Sequence, residues 1–260
     1  MDLVHVIVLA LLQGVTEFLP ISSSGHLILI PALFGWPDQG LAFDIAVHAG
    51  TLLAVIVYFR RELLGMAATA LRFGQPESRL GWQVVVATVP LGLAGLAFAD
   101  AVETSLRAPV VIAASTAFFG LLLWLADRFG RGARDEYQLA WLGVLLIGLA
   151  QALALIPGTS RSGITMTAAL AIGMSREAAG RFSFLLAIPA IGMAALWQSL
   201  QFAADPAPVP WLPLGLAAAV SALTAFATIA LFLNLIGRMG MTVFALYRFA
   251  LAAVIVYVLV

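Results

Sequence analysis

Six apolar stretches of about the length of a membrane-crossing helix constrain the fold of this chain more than any other feature. They are Phe43–Phe59, Trp82–Ala99, Pro109–Ala126, Arg181–Gln201, Leu214–Leu235 and Thr242–Val260. Only helices and closed barrels satisfy all backbone polar groups inside lipid, and a spanning helix needs about 20 mostly apolar residues. The chain is 63% hydrophobic and only 10% charged, far from the balance of soluble domains. The sequence therefore predicts an all-α polytopic membrane protein with one membrane domain, residues 1–260.

Two further apolar segments are too short to cross a membrane, and each is interrupted by a proline and a run of serine and glycine. Leu3–Leu19 resumes as Leu27–Phe34, and Ala140–Leu155 resumes as Gly163–Met174. Each pair is predicted to form a broken, re-entrant helical hairpin. Non-helical backbone is tolerated at membrane depth only where it is buried in protein or lines a wet cavity. We therefore expect both breaks to lie at an internal cavity.

The two halves of the chain resemble each other weakly. A shift of 138 residues places Gln13 on Gln151, Ser22 on Ser160, Ser24 on Ser162 and Gly25 on Gly163. Each half, approximately 1–127 and 139–260, then contains one broken hairpin and three spans. An odd number of spans inverts the second half relative to the first, and inverted repeats with broken helices are typical of transporters. The sequence predicts two inverted-topology repeats.

The placement of arginine predicts the orientation. Loops 60–80, 127–138 and 236–241 carry eight arginines between them, whereas loops 100–107 and 202–213 carry only Arg107. Positively charged loops remain cytoplasmic. Both termini and the first broken hairpin are therefore expected outside. The formal net charge of zero gives no support for a nucleic-acid partner, and none is expected.

The second break, Ile156–Thr167, has the composition of an anion site. A helix that begins there presents free N–H groups, and Arg161 has the side chain best shaped to bind phosphate. Ser160 or Ser162 is expected to cap this helix, and the alternative to an anion site is such a cap alone, with Arg161 paired to a carboxylate. Intramembrane arginine is costly and usually functional, so we favour a site. The expected phosphate-binding residues of this break are Gly158, Thr159, Ser160, Ser162, Gly163 and Thr165.

The first break has the same form but different chemistry. Three serines, Ser22 to Ser24, precede the start of its second helix and are followed by Gly25 and His26, and Ser22, Ser24 and Gly25 are expected to bind phosphate. Simple capping by serine is the alternative.

Gln13 and Glu17 are spaced i, i+4 and so share the helix face that ends at this break. A carboxylate beside an anion repels it unless a cation bridges the two or the acid carries a proton. Glu17 is therefore either a divalent-metal ligand or a proton donor and acceptor, or else it forms an ion pair with Arg161. Asp44 and His48 are also spaced i, i+4 and either support the site or form an interfacial hydrogen bond.

Three motifs together resemble those of the undecaprenyl-diphosphate phosphatases of bacteria, the bacitracin-resistance type of membrane phosphatase. They are QGVTEFLPISSSGH at 13–26, FDIAVHAGT at 43–51 and PGTSRSGIT at 157–165. The resemblance covers the full length and implies hydrolysis of undecaprenyl diphosphate to undecaprenyl phosphate and inorganic phosphate. This reaction recycles the lipid carrier for peptidoglycan synthesis in the bacterial cell membrane. A transporter or flippase of a phosphorylated prenyl lipid is the alternative that the repeat suggests, and a membrane scaffold is the least favoured.

The resemblance also implies site residues and a divalent cation, Mg²⁺ or Ca²⁺. The family roles fall on Glu17, Ser23, His26 and Arg161, with Glu17 as the metal ligand. Gln13 stands where some relatives have glutamate, which weakens any scheme with two acidic ligands there. The nucleophile is Ser23, His26 or water activated by His26, and we favour Ser23 with His26 as acid/base.

Two expectations concern the surroundings of the site. Diphosphate carrier is released outside, so the site is expected to open to the periplasm. Small residues such as Gly92 and Gly95 would allow a homodimer.

Overall fold

The computed structural model describes residues 2–106, 108–130, 132–204 and 210–260, with backbone only at 99–105. Within these residues the chain forms eleven α-helices, two 3₁₀ turns (Glu136–Gln138 and Leu153–Leu155) and no β-strand. The helices are α1 Leu3–Thr16, α2 Ser23–Phe34, α3 Leu41–Tyr58, α4 Arg60–Thr69, α5 Pro76–Ser105, α6 Pro109–Phe129, α7 Trp141–Ala152, α8 Arg161–Ala171, α9 Arg176–Ala204, α10 Trp211–Met239 and α11 Thr242–Leu259.

Six of these helices, α3, α5, α6, α9, α10 and α11, are long and apolar enough to cross a membrane. The predicted all-α polytopic membrane fold is thereby confirmed. Shorter helices, α1 followed by α2 and α7 followed by α8, flank the two predicted breaks, and the re-entrant placement of these pairs stays a prediction. Each half holds one pair followed by three long helices, but the inversion of the halves stays a prediction. Arg107, Arg131 and residues 205–209 of the loops used to predict orientation lie outside the described residues.

The prediction of a polar loop over 60–80 is wrong. The segment contains α4 and the first turns of α5. Leu63 and Met66, spaced i, i+3, pack against the core, and Glu62 forms an ion pair with Arg181 of α9 at 3.1 Å. These tertiary contacts stabilise α4 as a helix although the segment has low hydrophobicity.

Several predicted helix ends are also wrong. The helices α5, α9 and α10 each extend beyond their apolar stretch, and α5 continues through most of the predicted loop 100–107. Polar residues in its first turns explain why α5 starts earlier than predicted. Arg79 and Gln83 both donate to the Leu139 carbonyl, at 2.9 and 2.8 Å. In contrast, α1 ends three residues early, which leaves Glu17 at its C-terminal cap.

Close helix crossings fix the first hairpin and the second against their neighbours. A Cβ at Gly14 of α1 would lie 2.8 Å from the Ser221 carbonyl oxygen of α10, and one at Gly148 of α7 would lie 2.7 Å from that of Ala87 in α5. Such contacts require glycine, as in other membrane helix pairs. Of the two glycines expected at a dimer interface, Gly92 faces Met193 of the same chain and Gly95 faces open space. The homodimer stays a prediction.

Candidate active site

The two helix breaks meet at one cavity of about 250 Å³. Its polar wall carries residues of both breaks together with Glu17 and His48, and its remaining wall is apolar. The polar lining residues are Glu17, Ser22, Ser23, Ser24, His48, Gly158, Ser160 and Arg161. The segments are about 140 residues apart in sequence, so the fold joins the two half-sites that the sequence predicts.

The breaks share an unusual backbone conformation at equivalent serines. Ser22 has φ 49° and Ser160 has φ 67°, and these are the only non-glycine residues with positive φ in the described part of the chain. Such conformations cost about 1–3 kcal/mol each and cluster at functional sites. The hydroxyl of each serine lies 3.2 Å from the hydroxyl two residues later, Ser24 or Ser162. The two breaks are therefore built alike, and both are strained.

The helix starts differ in their caps. The Ser160 hydroxyl accepts from the Gly163 N–H at 3.2 Å, so the prediction of a serine cap on α8 is confirmed for Ser160. Ser22 precedes α2 without any side-chain cap bond. The first N–H groups of α2 are thus left to face other partners, as in an anion site.

Glu17 stands at the centre of the polar wall, and only 9% of its side chain is exposed. Its Oε1 accepts from Arg161 Nη2 at 3.2 Å. Its Oε2 accepts from Ser23 Oγ at 2.9 Å and from Gln13 Nε2 at 3.0 Å, with His48 Nε2 at 3.9 Å. The ion pair that the sequence left as an alternative is therefore present. The same carboxylate is also placed to take the proton of Ser23.

Arg161 has two further partners besides Glu17, a backbone carbonyl and an aromatic ring. Its Nη1 donates to the Ser183 carbonyl at 3.0 Å, and its guanidinium lies 6.0 Å from the centre of the Phe18 ring. Phe18 is fully buried and packs edge-to-face on Phe184 of α9. Because Phe18 follows Glu17 directly, this packing fixes the acid and the arginine relative to each other.

The predicted phosphate-binding residues separate into two groups. Ser22, Ser24, Gly158 and Ser160 line the cavity. The others lie behind it, where Ser162 donates to the Leu19 carbonyl at 2.9 Å and Thr165 bonds the Ser183 hydroxyl at 2.7 Å. The residues that do not line the cavity are Gly25, Thr159, Ser162, Gly163 and Thr165. Their contacts support the starts of the helices α2 and α8.

His26 lies behind the serines, and both of its ring nitrogens have partners other than Ser23. Nδ1 lies 2.8 Å from the Ser22 carbonyl, and Nε2 lies 2.6 Å from the Tyr247 hydroxyl. A carbonyl can only accept, so Nδ1 carries the proton, and in the neutral form of the ring Nε2 accepts from the Tyr247 hydroxyl. The acid/base role of His26 stays a prediction, while the structure gives Ser23 the carboxylate of Glu17 as its partner.

The two residues predicted to support the site from α3, Asp44 and His48, have different positions. His48 lines the cavity, and its Nδ1 bonds the Asp44 carbonyl at 2.7 Å. Asp44 lies one turn nearer the start of the helix than His48. Its carboxylate accepts from the Gln39 side chain at 3.3 Å, and it does not line the cavity. The structure thus brings His48 into the site and leaves Asp44 at its edge.

Comparison with known proteins agrees with the family resemblance of these motifs. Residues 6–254 match the family described as bacitracin resistance protein BacA. The chain belongs to this family. It is 53% identical to "Undecaprenyl-diphosphatase 2" of Stutzerimonas stutzeri, with 98% of this chain and 97% of that protein covered. It is also 53% identical to "Undecaprenyl-diphosphatase" of Nitrosococcus oceani, with 99% of both chains covered.

The divalent cation expected for this BacA-family chain can be tested against the oxygen atoms at the site. The described residues hold no group of three His, Cys, Asp or Glu side chains that would bind a metal unaided. Glu17 is nevertheless accompanied by the Gln13 Oε1 atom, which is buried and has no hydrogen-bond partner among the described residues. Mg²⁺ is commonly held by one or two carboxylates together with substrate phosphates. The residues fit a cation shared with a diphosphate.

The sequence reasoning missed several polar residues of this BacA-family site that lie on long spans. Tyr247 bonds His26, Ser183 holds Arg161 and Thr165, and Thr116 Oγ1 lies 3.2 Å from the Gly158 carbonyl. Ser115 bonds the Pro157 carbonyl. These residues could have been found in the sequence as polar side chains inside otherwise apolar helices, because intramembrane polar groups face the protein interior.

Proposed function

We propose that this protein hydrolyses undecaprenyl diphosphate to undecaprenyl phosphate and inorganic phosphate in a bacterial cell membrane. The observation that carries the proposal is the convergence of Glu17, Ser23 and Arg161 at one cavity within hydrogen-bond distance. Membership of the bacitracin resistance family and relatives named undecaprenyl-diphosphatase support it. The reaction recycles the lipid carrier for peptidoglycan synthesis and accounts for the resistance after which the family is named.

In the proposed mechanism Ser23 is the nucleophile and Glu17 is its base. The hydroxyl already donates to the Glu17 carboxylate at 2.9 Å, which is the geometry that general-base catalysis needs. Ser23 Oγ attacks the terminal phosphorus, its proton passes to Glu17, and the bond from that phosphorus to the bridging oxygen breaks. Undecaprenyl phosphate leaves. Water then hydrolyses the phosphoserine and releases inorganic phosphate.

Arg161 and the start of α8 stabilise the charge that develops on the terminal phosphate. Phosphoryl transfer depends mainly on positioning and charge neutralisation. Arg161 Nη2 now bonds Glu17 at 3.2 Å, and a phosphate in the cavity would share that guanidinium. Glu17 and the Gln13 amide oxygen would hold Mg²⁺ or Ca²⁺, which when bound supplies further neutralisation of the diphosphate.

The apolar wall of the cavity is suited to the prenyl chain. It consists of Leu91 of α5, Ala154 and Ile156 at the start of the second break, and Ala190, Ile191 and Ala194 of α9. A C55 chain gains roughly 25 cal/mol for each Å² of apolar surface that it buries. Diphosphate at the serines and a tail along this wall would account for a polar site inside so apolar a protein.

The same residues favour a cavity that opens to the periplasm. Ala190, Ile191 and Ala194 lie in the second half of α9, away from the end where Arg176 and Arg181 stand. Arginine-rich ends are cytoplasmic. A membrane-impermeant thiol reagent should therefore react with Ser24→Cys from the periplasmic side. Reaction only from the cytoplasmic side would contradict the predicted opening of the cavity to the periplasm.

The activity is tested by phosphate release from undecaprenyl diphosphate by purified protein with Mg²⁺ or Ca²⁺. We expect Arg161→Ala to lower kcat by at least about 100-fold, the usual effect of removing a donor to a developing oxyanion. Arg176→Ala is the matched control, because Arg176 also begins a helix and pairs with a buried carboxylate, that of Asp127. It should retain kcat within about tenfold. Wild-type protein that releases no phosphate would refute the proposal.

A further inference from the structure

Arg248 of α11 is a fully buried arginine that the mechanism does not use. Its guanidinium donates to three backbone carbonyls on three different segments. Nη1 bonds Pro20 of the first break at 3.3 Å, Nη2 bonds Gly158 of the second break at 3.0 Å, and Nε bonds Thr116 of α6 at 3.0 Å. One side chain thus joins both breaks to the long spans behind them.

These carbonyls need such a donor. A helix break leaves backbone groups without intrahelical partners, and at membrane depth each unsatisfied group costs several kcal/mol. The rigid fork of an arginine matches several acceptors at once, which the point charge of lysine does not. Among the described residues no ion pair involves Arg248, so its charge is balanced by carbonyl dipoles alone.

Two glycines make the room that Arg248 occupies. A Cβ at Gly163, in the first turn of α8, would lie 2.8 Å from Arg248 Nη1. A Cβ at Gly120 of α6 would lie 3.1 Å from the Arg248 Cβ and 3.3 Å from its Nε. The guanidinium therefore rests against the helix start that bears Arg161, and its position is fixed from two sides.

We propose that Arg248 is a positioning residue that holds the two half-sites in register. Through Gly158 it fixes the segment that precedes Arg161, and through Pro20 it fixes the segment that precedes Ser23. Phosphoryl transfer requires Ser23, Glu17 and Arg161 to meet one phosphate together, and a misplacement of about 1 Å can cost about 100-fold in rate. Arg248 acts on the reaction without touching the substrate.

The first test is a double-mutant cycle between Arg248→Lys and Arg161→Lys. Lysine keeps the charge but cannot bond all three carbonyls. We expect Arg248→Lys to lower kcat about 10- to 100-fold with KM changed less than about threefold. If Arg248 acts through the placement of Arg161, the double variant should be little worse than the more damaged single variant. Losses that multiply would show that Arg248 acts independently of Arg161 and would overturn the proposal.

A second pair of variants keeps the test decisive if Arg248→Lys does not fold. Gly120→Ala displaces the Arg248 side chain while every residue of the site remains, and alanine raises helix propensity by about 1 kcal/mol. Gly95→Ala is the matched control, since its Cβ would meet nothing within 4 Å. Gly120→Ala should lower kcat about three- to tenfold, and Gly95→Ala should leave it unchanged. Equal rates in the two variants would overturn the proposal.

This inference rests on the proposed phosphatase activity, and the two fail differently. No phosphate release by wild-type protein would refute the activity itself. Release by wild type together with full kcat in Arg248→Lys would refute only the positioning role.

Discussion

The two helix breaks have the same backbone design and opposite chemistry. Both contain a serine with positive φ, at Ser22 and Ser160, and both bond it to the hydroxyl two residues later at 3.2 Å. The first residue of the following helix differs, being Ser23 in α2 and Arg161 in α8. The two breaks therefore share a backbone frame, while the residue that each presents to the cavity differs.

In the proposed mechanism, that difference divides the reaction between the halves of the chain. The first break supplies the acid Glu17 and the hydroxyl of Ser23, and the second supplies the positive charge of Arg161. Neither half could act alone, because the serine, its base and the phosphate-binding cation must lie within a few ångströms of one phosphorus atom. The ion pair of Glu17 and Arg161, at 3.2 Å, joins the two contributions directly.

The largest effect should come from removing the acid of the first break. Glu17→Gln keeps the shape but loses the base and a ligand for the cation, so we expect kcat to fall by about 1,000-fold. Phosphate release from the prenyl diphosphate measures it. Glu136→Gln is the control, because Glu136 is also a buried glutamate paired with an arginine, Arg181 at 2.5 Å. Similar losses in both variants would mean that ion-pair removal, and not catalysis, explains the result.

A smaller effect is expected at the support of the first break. Tyr247→Phe removes the hydroxyl that bonds His26 at 2.6 Å, and His26 in turn holds the carbonyl of Ser22. One neutral hydrogen bond contributes about 0.5–1.5 kcal/mol, so kcat should fall about two- to tenfold in steady-state assays. Tyr257→Phe on the same helix is the control, since Tyr257 is 91% exposed. A loss above about 100-fold would instead place His26 in the chemistry.

The smallest effect is expected on the free energy of unfolding, and it should differ between the two strained serines. Glycine adopts positive φ without strain, so Ser22→Gly should raise the free energy of unfolding by about 0.5–1 kcal/mol. Ser160→Gly gains less, because it also loses the cap bond to the Gly163 N–H, a cost of a few tenths of a kcal/mol. Equilibrium unfolding in mixed micelles measures both. A larger gain for Ser160→Gly would contradict the difference between the caps.

Much of the architecture followed from hydrophobic length, because lipid imposes a helix on every long apolar stretch. The six spans and the two broken pairs were predictable for this reason. The helix α4 was not, since its stability comes from contacts such as that of Glu62 with Arg181. Helix ends such as Thr16 and Pro76 also depend on tertiary partners that no local pattern encodes.

The site was predictable in its composition and less so in its geometry. Serine, arginine and glutamate at interrupted helices indicated anion chemistry, and the meeting of Glu17 with Ser23 and Arg161 agrees with it. The partner of His26 was not predictable, because Tyr247 lies 221 residues away in sequence. The three carbonyls bonded by Arg248 were likewise invisible, since they belong to backbone whose direction only the fold determines.

The central claim is that bond making belongs to the first break, at Ser23. Phosphate release by Ser23→Ala, compared with Ser24→Ala in the same loop, tests it most directly, because both hydroxyls line the cavity and only Ser23 bonds Glu17. We expect Ser23→Ala to lose at least about 1,000-fold in kcat and Ser24→Ala to stay within about tenfold of wild type. A Ser23→Ala protein that keeps kcat within tenfold would contradict the claim.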